Sequence, residues 1–322
     1  MMRKLLLFLC LTVLVSGGAA VALTLDEALA LFPGNDIMVP YSDEGKALLE
    51  EMIGAFKEEL GVPEGLDETN EATVTAFDVD PALKDIVNKL SQTYYTYSDA
   101  FMAGDPEERN TYMKGRNWGF KSLRMNPDFV ALEGEPGDSW EEFVAGVNQE
   151  TDLAALYWAG ANWLRWGEFN AFQAVAALIP QQTEAISFRC MELDEAYMAY
   201  GSYRALAAFW AGLPRMPVGY YRKNFSRSLG YFCHVVDEPE ICAGWDCDIC
   251  PELGEFDPAA DEYFENRLFF VEYYLIQREM WEDAKRILDE IAVEPIGDKY
   301  PLYNAIALEK VATFLEEVEE HL

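Results

Sequence analysis

Histidine is almost missing from this chain of 322 residues, which carries only His234 and His321. Imidazole is the side chain whose ordinary pKa suits proton transfer near neutral pH, so a hydrolase built on a histidine base has one serious candidate. That candidate is His234, next to Cys233 in FCHVVD, while the penultimate His321 reads as solvated. Residues adjacent in sequence rarely face each other, so a Cys–His dyad is not expected from this pair. The GxSxG elbow, the phosphate-binding loop, HExxH and GxGxxG are all absent. The omissions argue against an enzyme. Positive charge is also scarce, 24 basic against 57 acidic residues for a net charge of −33, a field that repels nucleic acid and anionic lipid. Both partners are set aside, and the acidity reads first as solubility and second as a surface for a basic partner or cation.

Long apolar runs are missing too, with one short exception at the start. Residues 1–4 carry two positive charges, residues 5–15 are apolar, and Ala20, Val21 and Ala22 form an AxA site. This is the pattern of a secretory leader at 1–22, too short for a good membrane span, with an uncleaved anchor as the alternative. Cys10 sits in LFLC, where Phe and Leu occupy positions at which a lipobox wants small residues, so a lipid anchor is not expected. The mature chain, 23–322, is expected in the periplasm with 57 acidic against 22 basic residues.

What the sequence has in abundance is aromatic and helical material. Aromatic residues make up 14% of the chain, enough bulk to fill a core and to exclude disorder. Ser42 is placed to cap a helix over 43–60, with an apolar stripe at Ala47, Leu48, Met52, Phe56 and Leu60 and a stop at Gly61. Residues 61–80 read as loop with one short strand over 73–77. Asp80 and Pro81 open the next helix, Gly104 ends it, and Asp105 with Pro106 opens another. Helices are expected over 140–147, 261–280, 281–292 and 301–322. In 150–164 the positions Leu153, Leu156, Tyr157, Gly160 and Leu164 recur at three- and four-residue steps, so one helical face must be covered.

A loose repeat runs through the second half. Thr183, Ser187 and Cys190 stand at offsets of zero, four and seven, as do Tyr221, Phe225 and Ser228, then Ala284, Leu288 and Ile291. These are roughly the offsets at which second helices of tetratricopeptide (TPR) repeats pack. The third copy is displaced by an apparent insertion at 233–257. The expected architecture is all-α: stacked antiparallel helix pairs forming a TPR-like superhelix, in one domain over 23–322.

The inserted segment holds Cys233, Cys242, Cys247 and Cys250, spaced CxxxxxxxxCxxxxCxxC, with Cys190 apart. Four thiolates could hold zinc or an iron–sulfur cluster, and CxxC could be redox-active. In an oxidising compartment two disulfides among the four are the expectation, with partners left open and Cys190 buried as a free thiol; no metal or other cofactor is assigned. The cluster as a metal or redox centre stays as the alternative. Arg116, Lys121 and Arg124 are expected to pair with carboxylates rather than form an anion site. Tyr157, Trp158, Trp163, Trp166, Tyr203 and Trp210 lie near small residues at 159–161; core packing is the plain reading, and an apolar ligand channel between helix layers is the functional one.

The succession LYWAGANWLRW, MELDEAY, GSYRALAAFWAGLP, GYYRKNFSRSLGYF and YPLYNAIALEKVATFLEEV, with KGRNWGFKSLRMNPDF before it, resembles the TatT family. These are the T components that accompany tripartite ATP-independent periplasmic (TRAP) transporters, and the resemblance spans roughly 80–322. It implies a fold of cryptic TPR-like repeats, a homotrimer, and docking to the transporter's periplasmic substrate-binding P subunit. It also implies a cleft or pore that handles a hydrophobic ligand, and no catalytic residues. A generic TPR-like protein-interaction scaffold is the competing reading. The Cys-rich insertion and the missing lipobox depart from the family pattern.

Overall fold

A computed structural model describes residues 22–133, 140–147, 150–169, 171–216, 219–243 and 256–322. Among these residues the protein is all helix and turn, with no strand. The N-terminal part comprises α1 (Leu25–Ala30), α2 (Asp43–Glu59), α3 (Glu71–Ala76), α4 (Lys84–Phe101), α5 (Glu108–Leu123), α6 (Pro127–Leu132) and α7 (Trp140–Val144). The central part holds α8 (Glu150–Glu168), α9 (Ala171–Ala176), α10 (Ile179–Leu193) and α11 (Tyr197–Gly212). After it come α12 (Phe225–Val235), α13 (Pro239–Cys242), α14 (Phe264–Phe270), α15 (Trp281–Val293) and α16 (Pro301–Glu319).

Local chemistry sets most of these limits. The Ser42 hydroxyl accepts from the Gly45 amide at 3.2 Å to start α2, and Gly61, at φ +68°, takes the left-handed conformation that ends the turn after it. Asp80 accepts from the Ala82 amide at 2.9 Å, and Pro81 opens the 3₁₀ turn that feeds α4. The expected strand over 73–77 is instead the body of α3. Asn70 Oδ1 accepts from the Ala72 and Thr73 amides at 3.0 and 3.3 Å, and that cap outweighs the β-preference of Thr73, Val74 and Thr75. The helix expected over 261–280 is broken into α14, a π-helical turn (Val271–Leu275) and a 3₁₀ turn (Ile276–Arg278), closed by Glu279 in the left-handed region.

The helices pack mainly on neighbours in the chain: α4 on α5, α5 on α8, α8 on α10, α10 on α11, α11 on α12, and α15 on α16. At the α5–α8 contact Gly119 allows close approach, since a Cβ there would sit 2.8 to 2.9 Å from Ala159. The repeat offsets map unevenly. Thr183, Ser187 and Cys190 lie on α10, and Ala284, Leu288 and Ile291 on α15, but Tyr221 precedes α12, which starts only after its cap Asn224.

Three clusters of buried apolar side chains follow one another along the chain. The first is built on Phe56, Leu90 and Trp118, the second on Leu156, Trp158 and Ile186, and the third on Trp210, Phe232 and Phe270. Helix α16 joins all three, placing Leu302 and Ile306 in the first, Tyr303 in the second and Ala307 and Val311 in the third. The C-terminal helix therefore couples segments remote in sequence, as in the Tyr300 amide that donates to Asp36 at 2.8 Å.

Candidate functional site

A half-open cleft of about 120 Å³ lies between α8, α9, α10 and α11, with Phe269 and Tyr273 closing one side. Its walls are mostly small or aliphatic: Ala161 and Leu164 from α8, Ala171, Ala174 and Val175 from α9, Ile179 from α10, and Ala205 and Ala208 from α11. Small side chains on four helices leave the gap, because none is long enough to cross it. Such a space, apolar with few polar groups, has the character of a small-molecule site.

Polar groups gather at one end. Arg165 Nη2 donates to Asp99 at 2.8 Å and Nη1 to Glu168 at 2.7 Å, while Tyr273 donates to the other Glu168 oxygen at 3.2 Å. Lys310, from α16, reaches the same Asp99 carboxylate at 3.2 Å and lies 3.8 Å from Glu265. Burial pushes the Asp99 pKa up, but Lys310 and Arg165 together more than offset this and hold it below the ordinary aspartate value. Glu272, on the π-helical turn, is the opposite case. Burial raises its pKa to about 7, against the pull of Arg165 and Lys310 and with the help of Glu168 and Asp99.

Arg204 forms the rest of this end. It donates to Asn266 at 2.7 Å and to the Tyr157 hydroxyl at 3.3 Å, lies over the Tyr263 ring at 4.4 Å, and has Glu265 at 3.9 Å. It also supports an unusual backbone. Met198, Ala199 and Tyr200 are all left-handed, at φ 51°, 50° and 61°, a conformation that costs an L residue roughly 1–2 kcal/mol each. The carbonyls of that turn are satisfied by Arg204, at 3.5 Å to Met198 and Ala199, and by Asn266 Nδ2, at 3.1 Å to Ala199. Gly201 follows directly and lines the cleft, where a Cβ would overlap the Tyr157 ring.

The aromatic residues expected to form a channel are mostly elsewhere. Tyr157 lines the cleft. Trp158 is buried against Tyr95 with ring centres 5.2 Å apart, and Trp163 meets Phe120 edge-on at 5.4 Å beneath the Arg116 guanidinium. Trp166 lies under Arg109, Tyr203 stacks on His234 at 3.9 Å, and Trp210 stacks on Tyr221 with Arg227 4.3 Å from its ring. Five of the six serve packing because large rings fill space, and the space left over belongs to the alanines and Gly201.

Cys233 and Cys242 form a disulfide with Cα atoms 5.7 Å apart, joining α12 to α13. That bond removes two of the thiolates that a four-cysteine metal site would need, and among the described residues no group of three or more His, Cys, Asp or Glu side chains is placed to hold a metal. Cys247 and Cys250 lie outside the described residues. Cys190 is free and buried, with its thiol pKa raised by burial. His234 is also buried, and neither ring nitrogen makes a hydrogen bond among the described residues. Arg116 and Arg124 pair with Glu71 at 2.5 and 2.7 Å, and Arg124 also with Glu133, whereas Lys121 bonds backbone carbonyls of Thr75 and Phe77.

Among the described residues no helix is long and apolar enough to cross a membrane. No curated protein matches the chain. The model of one family, described as TRAP transporter T-component, matches residues 76–229, the stretch that runs from α4 through α11 and contributes nearly all of the cleft wall. By that match, residues 76–229 are those of the TRAP transporter T-component family, whose members are accessory components of transport.

Proposed function

We propose that this protein is a non-enzymatic periplasmic T component that docks on the substrate-binding P subunit of a TRAP-type transporter and holds an apolar solute in its cleft. The observation that carries the reading is the coincidence of the family match with the cleft, since the matched stretch 76–229 supplies α8 to α11. The mainly apolar walls support a hydrophobic ligand over a charged one. Residues 1–22 act as an export leader, and 23–322 form one TPR-like unit with a Cys-rich insertion at 233–257. The unit works as a homo-oligomer, a trimer by family resemblance. One of the two disulfides expected among the four cysteines of the insertion is Cys233–Cys242. Affinity capture of the mature chain from periplasmic extract tests the docking. A solute-binding protein recovered in stoichiometric amount supports it, and a capture that holds no such protein sinks it.

A further inference from the structure

The charged end of the cleft is already balanced. Arg165 is bonded to Asp99 and Glu168, Arg204 has Glu265 beside it, and Lys310 lies between Asp99 and Glu265, so three cations face three anions. Glu272, a fourth acid nearby whose pKa burial raises to about 7, does not line the cleft. An ionised head group of either sign would be stripped of water there and find no unpaired counter-charge, which is costly.

Two hydroxyl groups are differently placed. Tyr95 lines the cleft, and its hydroxyl has no hydrogen-bond partner among the described residues. The Tyr157 hydroxyl accepts from Arg204 at 3.3 Å, which leaves its own proton to give. Burial raises both phenols, Tyr157 to about 12, so each keeps that proton at any physiological pH. Both are therefore unspent donors at the end of an apolar space.

We propose that the cleft selects a small, uncharged, largely apolar molecule whose polar end accepts hydrogen bonds, such as a ketone, an ester or an ether, and that the Tyr95 and Tyr157 hydroxyls recognise that end. The inference rests on the reading of the cleft as a ligand site and specifies the ligand's chemical class. A volume of about 120 Å³ suits a body near the size of one aromatic ring, with the mouth open to anything longer.

The test is a set of probes of similar shape, titrated into the mature protein by calorimetry: acetophenone, ethylbenzene, benzoate and benzylammonium. Acetophenone is expected to bind about 3- to 10-fold more tightly than ethylbenzene, the worth of one or two net hydrogen bonds, and about 10-fold or more tighter than either ion. In a Y95F/Y157F variant acetophenone falls to the level of ethylbenzene, whose own affinity does not move and so reports that the cleft is intact. If ethylbenzene equals acetophenone in the wild type, or either ion binds best, the head-group proposal is overturned while the cleft as a ligand site stands. If none of the four binds, the ligand site itself fails and takes the proposal with it.

Discussion

Arg165 and Asp99 meet at 2.8 Å across α8 and α4, and Lys310 of α16 shares the same carboxylate at 3.2 Å. Three helices that are remote in sequence are thereby locked around one buried charge behind the cleft. Asp99 is nearly inaccessible, so its removal leaves two cations with one fewer counter-charge in a medium that solvates them poorly. D99A is expected to destabilise the protein by about 3–5 kcal/mol, read as a loss in the denaturation midpoint. The double variant D99A/K310M should recover part of that loss because it removes one of the stranded charges. A loss under about 1 kcal/mol for D99A would show that solvent reaches the cluster and that the three helices are not held through it.

Gly201 is the second point at which the cleft depends on one atom. It follows three left-handed residues and lies against Tyr157, with ring carbons 2.7 Å from where a Cβ would stand. G201A must displace Tyr157, and the phenol is held by Arg204. A cost of about 1–3 kcal/mol in stability is expected. The Tyr157 side chain moves into the cleft or off Arg204, so probe binding should weaken as well. An alanine variant with unchanged stability and unchanged probe binding would show that α8 and α11 are not in fixed contact here.

How much of this was legible in the sequence follows from the range over which each signal acts. Caps and stops are local, so Ser42, Gly61, Asp80 and Pro81 mark helix ends through bonds made within three residues of each. The strand expected over 73–77 fails for an equally local reason, because the Asn70 cap decides against the β-preference of Thr73, Val74 and Thr75. The cleft was legible only at Tyr157 and Ala161, since it is made where four helices fail to fill a gap. The signal that could have found it is the run of small residues at 161, 171, 174, 201, 205 and 208, not the tryptophans nearby. The charge cluster was equally hidden. Asp99, Arg165, Glu272 and Lys310 are scattered from α4 to α16, and only the packing of α16 across the molecule brings them together.

The disulfide gives a prediction that does not involve the cleft. Cys233 and Cys242 are nine residues apart, and closing so short a loop removes conformational entropy from the unfolded chain worth about 2–3 kcal/mol. C233S/C242S should lower stability by roughly that amount while leaving probe affinities as they are, because neither cysteine lines the cleft. Thiol titration of denatured mature protein without reductant should detect one group, Cys190. Three or more reactive thiols would show that Cys247 and Cys250 are not joined, and stoichiometric zinc or iron by elemental analysis would assign them to a metal instead.

Glu272 gives the pH dependence. Its folded-state pKa, about 7, lies above the ordinary glutamate value of 4.5, so between these values the folded protein holds a proton that the unfolded chain releases. Stability from this group is therefore greatest below the lower value and is lost as pH rises through the higher one. The other charges around it are Arg165 and Glu168 on α8, Asp99 on α4 and Lys310 on α16. E272Q replaces the titrating acid by a neutral isostere, so the variant should match the wild type near pH 4.5 and exceed it by roughly 1–3 kcal/mol at pH 8. The comparison is made as the difference in unfolding free energy between the two proteins at each pH, which cancels the contribution of all other acids. A difference that stays flat across the interval would mean that Glu272 is ionised in the folded state and that the π-helical turn keeps it in contact with water.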